Sequence, residues 1–333
     1  SGLREGLANL LKVFGGWFSD KTGKRMPFIF FGYFASLIFR ILLATANLWQ
    51  FIIAFVSLER IGKIRDAPRD ALIADSTKKR GKGFGFHQMM DTSGAIIGTL
   101  LIILLFWKLQ LEFKTIIFIA AGISALSLIP LFFVKEKKFK KTKQNLFKGI
   151  SKFDKKLKYF IFTASIFTLA NFGLYMFMLL RVREITGNII IPLILYAIFN
   201  LFYAVFVTPF GSLSDKIGRK KVLLIGYVLF FLVCLSFIFT NNIFWIALLF
   251  IFYGLVYAIT QSNQKAFVSD FAGEMKGTAM GFYASIIGVV NIIGGLIAGI
   301  LWDISYATMF AYISVVSFVS IMLLLFVKEK IKR

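Results

Sequence analysis

Long apolar runs, each broken off by a short charged stretch, fill the chain. They lie at about 1–19, 27–46, 48–75, 84–106, 115–134, 159–182, 189–211, 221–240, 243–264, 278–301 and 305–327. A helix that crosses a bilayer needs about 17–25 residues, so the pattern predicts eleven spans. Apolar positions run on continuously, where the strands of a membrane barrel would alternate. The spans are therefore helices, with every backbone group bonded inside its own segment. The run at 48–75 is the least apolar, and only its first half has the hydropathy of a span. The expected fold is an all-α polytopic membrane protein.

Composition agrees. Of 333 residues, 58% are hydrophobic and 17% aromatic, where a soluble domain has about 45–50% apolar residues; the mean hydropathy is +0.80. The formal net charge of +23 would suggest nucleic acid in a soluble chain, but its distribution excludes that partner. Of the 39 Lys and Arg residues, 28 fall in 21–26, 76–83, 135–158, 216–221, 265–276 and 328–333, which share one side if eleven spans alternate. Near the other side are only Arg4, Lys108, Lys114, Arg181 and Arg183. Such asymmetry marks the basic side and the C-terminus as cytoplasmic, in a cell inner (plasma) membrane whose anionic lipid head groups suit the basic surface. Cys234, within an apolar span, can form no disulfide in this chain and reads as a packed core residue.

The chain repeats itself. GGWFSDKTGKR at Gly15–Arg25 and FGSLSDKIGRKK at Phe210–Lys221 share Gly-x-x-x-Asp-Lys-x-Gly, offset by 195 residues from Asp20 to Asp215. FGY at 31–33 answers IGY at 225–227, and GKGFGF at 81–86 answers GTAMGF at 277–282. Repeats in one orientation describe two homologous bundles: residues 1–134, a basic linker at 135–158, and 159–333. The motif follows the second span of the later bundle but the first span of the earlier one. The repeat thus predicts that a first helix is missing, leaving eleven of twelve.

The motif has a physical reading. Gly16 and Gly211 lie one helical turn before the aspartate and leave room for a neighbouring helix. Gly23 and Gly218 permit a tight reversal. Asp20 and Asp215 can accept hydrogen bonds from the positive N-terminus of an adjacent helix. Arg25, Arg219 and Lys220 can pair with Asp75 and Asp270. Two such loops, a lysine-rich centre and six-plus-six topology resemble the major facilitator superfamily of secondary transporters. The segments RIGKIRDAPRDALIADS (60–76) and GFGFHQMMDTSGAIIG (83–98) look like a prokaryotic group within it. The resemblance implies that these loops lock an outward-facing state. The group usually has one more Gly within IGKIRD, so a local shift of the helix is expected around Lys63, with a bend at Pro68. Antiporters of the superfamily often carry Gly-Pro where this chain has Gly98-Thr99.

Charges inside spans mark pathways, relays or structural pairs. Glu59 and Arg60 fall near the middle of 48–75, and Glu59, Lys63, Asp66 and Asp70 follow helical spacing. Arg60 is either a cavity-facing substrate residue or the structural partner of Glu59. Lys12 is a second cationic candidate. Glu59 and Asp91 are the candidates for a proton relay, with satisfied ion pairs as the alternative. In the later bundle, Asn171, Tyr175, Tyr257 and Gln261 would read a substrate by hydrogen bonds and ring faces. Gly94, Gly98, Gly288, Gly294, Gly295 and Gly299 fit close helix crossings.

A phosphate-binding loop is absent, and one histidine and one cysteine form no metal or nucleophile constellation. No cofactor, metal or enzymatic activity is expected. The leading function is secondary transport of a small solute by alternating access, proton-coupled, with an organic anion or an amphiphilic drug-like compound as substrate and a monomer as the working unit. A sensor or scaffold built on the same fold is the alternative.

Overall fold

The computed structural model describes residues 2–136, 139 and 141–329, with side chains in the first helix at Asn9 and from Leu11 onward. Arg4's side chain and parts of the basic stretches at 135–158 and 328–333 lie outside that set. All regular structure among the described residues is helical. The principal helices are α1 (Gly2–Thr22), α2 (Met26–Thr45), α3 (Trp49–Leu58), α4 (Asp66–Ser76), α5 (Arg80–Ile103), α6 (Phe113–Leu126), α7 (Leu146–Ser151), α8 (Lys155–Ala170), α9 (Tyr175–Thr186), α10 (Ile190–Ile217), α11 (Arg219–Phe239), α12 (Ile243–Phe271), α13 (Lys276–Ile304) and α14 (Tyr306–Phe326).

Among the described residues, nine helical stretches are long and apolar enough to cross a membrane. The other two expected spans, α1 and 49–76, are helical but too charged to qualify. Three tryptophans sit at helix ends away from the basic stretches: Trp49, Trp107 and Trp245 are 66%, 77% and 56% exposed. That is the position in which indole anchors a span at the lipid–water interface.

The expected shift around Lys63 takes the form of a tighter helix. Residues Glu59–Arg65 wind as a 3-10 turn between α3 and α4. The even spacing of Glu59, Lys63, Asp66 and Asp70 on one α-helical face is therefore lost. Pro68 falls in the first turn of α4, directly after the 3-10 segment. Arg65 pins the 3-10 turn, donating to Gly32 O (3.0 Å), Ser36 Oγ (2.8 Å) and Gly62 O (2.8 Å).

The helices pack into two compact units, and neither is a contiguous half of the sequence. One comprises 1–76, 94–153 and 272–288; the other comprises 77–93, 154–271 and 289–333. In the first, α1 and α2 pack on the 3-10 turn and α4, with α6 against α2. In the second, α12 lies between α10 and α11, and α14 joins α11 to α8. Rings fill that core: Phe167 stacks on Tyr227 at 3.8 Å and Phe160 on Phe267 at 3.9 Å. The linker is partly folded, for α7 lies within it, Trp17 Nε1 donates to Gln144 O at 3.1 Å, and Thr142 N to Asp20 O at 3.0 Å.

The sharpest helix crossings use glycines of the motif region. A Cβ on Gly16 would collide with the backbone of Gly277, and one on Gly211 with that of Gly81. Of the glycines expected at crossings, Gly288 packs on Asn9 and Gly294 on Leu169 and Phe172. Gly94, Gly98 and Gly299 have no neighbour within 4 Å among the described residues, and Gly295 has only an ordinary contact. Substitution should follow this division. Gly211→Val should lower the thermal midpoint in detergent sharply, as overpacking by about 1–3 kcal/mol would. Gly98→Val should leave the midpoint unchanged.

Candidate functional site

In the first unit, α1 ends at a carboxylate sealed from solvent. The Asp20 side chain is 1% exposed. It accepts from the backbone N–H of Gly277 (3.2 Å) and from the N–H (2.7 Å) and hydroxyl (2.8 Å) of Thr278. These amides open α13, where no intrahelical acceptor exists and the helix dipole is positive. Arg25 lies 3.7 Å from Asp20 and 2.7 Å from Asp75, and Asp75 also pairs with Lys276. Behind them, Glu136 accepts the backbone N–H groups of Arg25 and Met26 that open α2. Burial pulls the Arg25 guanidinium below its ordinary value, while Asp75, Asp20 and Glu136 pull it back up. The Phe139 ring lies 4.3 Å from the same guanidinium.

The second unit repeats the device. Asp215 accepts from the N–H of Gly81 (3.1 Å) and of Lys82 (2.8 Å), which open α5. Arg219 lies 2.7 Å from Asp215 and 3.1 Å from Asp270, Arg80 lies 2.7 Å from Asp270, and Glu329 accepts the N–H groups of Arg219 and Lys220. Each latch thus contains the motif Gly, Asp and Arg, an acidic helix end, and a cation and free amides at the start of another helix.

Two details escape the motif alignment. The constant offset matches Arg25 with Lys220, yet in space Arg25 corresponds to Arg219. Gly218, at φ 104° and ψ 148°, feeds directly into α11, whereas after Gly23 (φ 69°) the chain runs through Lys24 and Arg25 before α2 begins. Lys220 instead donates Nζ to Leu325 O at 2.6 Å. The glutamates were also missed, although their signal is in the sequence: FVKEK occurs at 133–137 and again at 326–330.

The charges farther along the first unit are mutually satisfied. Lys12 lies 3.3 Å from Asp66, and Arg69 bridges Asp66 (3.6 Å) and Asp70 (3.4 Å). Glu59 pairs with Arg40 of α2 at 3.5 Å, and Arg40 also donates to Ser124 Oγ. Arg60 is half-buried.

In the second unit, three of the four neutral candidates come together. Asn171 Oδ1 accepts from the Tyr253 hydroxyl at 2.6 Å. The rings of Tyr175, Tyr196, Tyr253 and Tyr257 surround Phe199 with centroids 6.1, 5.9, 5.3 and 5.1 Å away. Tyr203 stands beside Tyr257 at 5.6 Å, bonds Thr92 of α5, and feels the charge of Asp91. Gln261 is half-buried and stands outside this cluster. Its neighbours have packing roles: Asn263 donates to Ile259 O at 2.6 Å and Gln264 to the Tyr227 hydroxyl at 3.0 Å. Among the described residues no group of His, Cys, Asp and Glu could hold a metal ion.

The profile of the Major Facilitator Superfamily matches residues 6–191 and again 161–333. The chain belongs to this superfamily. An uncharacterized MFS-type transporter of Methanocaldococcus jannaschii is 46% identical over 98% of this chain and 84% of its own length. The multidrug resistance protein MdtH of Photorhabdus laumondii is 26% identical over 66% of this chain and 55% of its own. The crystal structure of the human organic anion transporter MFSD10 superposes with a TM-score of 0.82 over 97% of this chain and 83% of that one, at 16% identity. The chain is accordingly a multi-pass membrane transporter of the superfamily, and the likeness to MFSD10 describes the fold alone.

The latch geometry makes a specific demand on Asp20. Asp20→Asn keeps the shape but offers one acceptor where three donors and Arg25 converge. It should leave expression and helical content intact while lowering the thermal midpoint, by an amount equivalent to about 1–3 kcal/mol. Glu136→Gln should cost less, because its partners are backbone amides near solvent.

Proposed function

We propose that this superfamily member is a proton-coupled secondary transporter that moves an amphiphilic or anionic small solute by alternating access. The observation that carries the reading is the doubled latch. Each copy ties a motif helix of one sequence half to the first turn of a helix from the other half. Opening the basic side to a solute requires both carboxylates to leave their amides. Two chemically equivalent locks suit a protein that must break and remake the same contacts in every cycle. The two bundles, 1–134 and 159–333, would then rock about a midplane site.

The ring cluster around Phe199 offers a solute the partly exposed rings of Tyr175, Tyr196 and Tyr257, backed by the buried Asn171–Tyr253 pair. Asp91, within electrostatic reach of Tyr203, is the proton carrier of the reading, and Arg60 is the cation for an anionic group. The multidrug relative at 26% identity supports an amphiphilic substrate class. The basic stretches favour a cytoplasmic C-terminus in a plasma-membrane protein, which a C-terminal reporter fusion active only inside the cell would bear out.

Proteoliposomes with and without an imposed pH gradient test the whole reading. Uptake or efflux of lipophilic dyes and organic anions should follow the gradient. Asp91→Asn should abolish gradient-driven accumulation yet preserve solute exchange at zero gradient, while Tyr257→Ala should weaken apparent affinity about tenfold, as losing one buried ring would. A chain that binds such solutes but never moves them would favour a sensor instead.

A further inference from the structure

The second unit carries a basic cleft beside its latch. Its volume is about 700 Å³, and five separate segments line it: 78–80, Lys156, 214–221, Phe267 with Asp270 and Phe271, and 327–329, of which all but the fourth carry lysines or arginines. Nine lysines and arginines line it against three carboxylates, Asp215, Asp270 and Glu329. The carboxylates are already engaged by Arg80, Arg219 and the amides of the latch. That leaves Lys78, Lys79, Lys156, Lys216, Lys221 and Lys328 around the mouth, all exposed and in no ion pair among the described residues. Phe267, Phe271, Ile217 and Val327 supply an apolar floor.

Six like charges around one mouth repel one another wherever they lie within the screening length of about 8 Å at physiological ionic strength. A solvated basic rim would spread its lysines outward over a convex surface. Here they converge on a cavity whose volume falls in the range of about 300–1,000 Å³ typical of small-ligand sites. Each ammonium offers three donors and no acceptor, so the ligand must be an anion rich in acceptors. One phosphate cannot reach cations on four segments; two or more can.

We propose that this cleft binds a ligand bearing at least two phosphates, either the head group of a diphosphate phospholipid or a soluble polyphosphate. The apolar floor gives the glycerol or acyl root of a lipid a place to rest, and the lysines hold the phosphates. Because the four segments include the loop of the second latch, a bound ligand ties that latch shut.

The test uses the full chain in nanodiscs of zwitterionic phosphatidylcholine. Two probes are compared: sodium tripolyphosphate in solution, and cardiolipin incorporated in the disc. Binding should raise the thermal midpoint in at least one arm; the tripolyphosphate arm alone marks a soluble ligand, and the cardiolipin arm alone a lipid head group. The variant Lys78→Gln/Lys79→Gln/Lys216→Gln/Lys221→Gln removes only exposed charges. It should weaken binding about tenfold or more, as loss of several partly screened charge contacts would. The control Lys141→Gln/Lys143→Gln/Lys148→Gln/Lys152→Gln removes as many lysines from the linker and should stay within about twofold of the unaltered protein. Equal weakening in both variants would reduce the cleft to part of a diffuse basic surface and overturn the assignment. So would the absence of a thermal shift with either probe.

Discussion

A desolvated carboxylate bonded to the free amides of another helix's first turn is the contact on which the rest of this structure depends. Taking an ionised carboxylate out of water costs several kcal/mol unless donors replace the water. For Asp20 those donors are Gly277 and Thr278, with the charge of Arg25 3.7 Å away. An aspartate is short, so the two backbones must nearly touch. That requirement explains why Gly16 and Gly277, and again Gly211 and Gly81, bear no side chain at the crossing. The arginine that neutralises the carboxylate, the second acid that neutralises the arginine, and the glutamate that caps the following helix all follow from the same buried charge.

The two latches are chemical copies, but the regions beyond them have diverged. The first unit keeps its charges in closed pairs, Lys12–Asp66 and Arg40–Glu59. The second replaces ions with rings around Phe199 and keeps polar atoms as hydroxyls and an amide. Rigid ion pairs hold a fixed geometry at the expense of desolvation, whereas tyrosine and phenylalanine faces accept many shapes. One duplicated framework thus carries a stiff half and a tolerant half.

Much of this was legible in the sequence because it rests on pattern. Continuous apolar runs gave the helices, and a twice-written Gly-x-x-x-Asp located both carboxylates. What was not legible depended on local winding. The 3-10 winding of Glu59–Arg65 and the pairing of Glu59 with Arg40 of α2 are of this kind, for no spacing rule anticipates a change of helical pitch. The correspondence of Arg25 with Arg219 turned on the different backbone paths after Gly23 and Gly218. Glu136 and Glu329 were readable in principle from the repeated FVKEK, but a lone acid within a lysine run resembles a solvated tail until its amide partners are seen. The compact units also cut across the sequence halves, which a linear division could not express.

The two latches differ in one respect that their chemistry hides: the order in which the ribosome delivers their parts. Asp215 bonds to amides 134 and 133 residues behind it, so its partners already exist when it is made. Asp20 bonds to Thr278, 258 residues ahead. At about 5–20 residues per second, that is a wait of roughly 10–50 s. The first latch can therefore close only once the start of α13 has been made, whereas Asp215 meets amides that were synthesised before it.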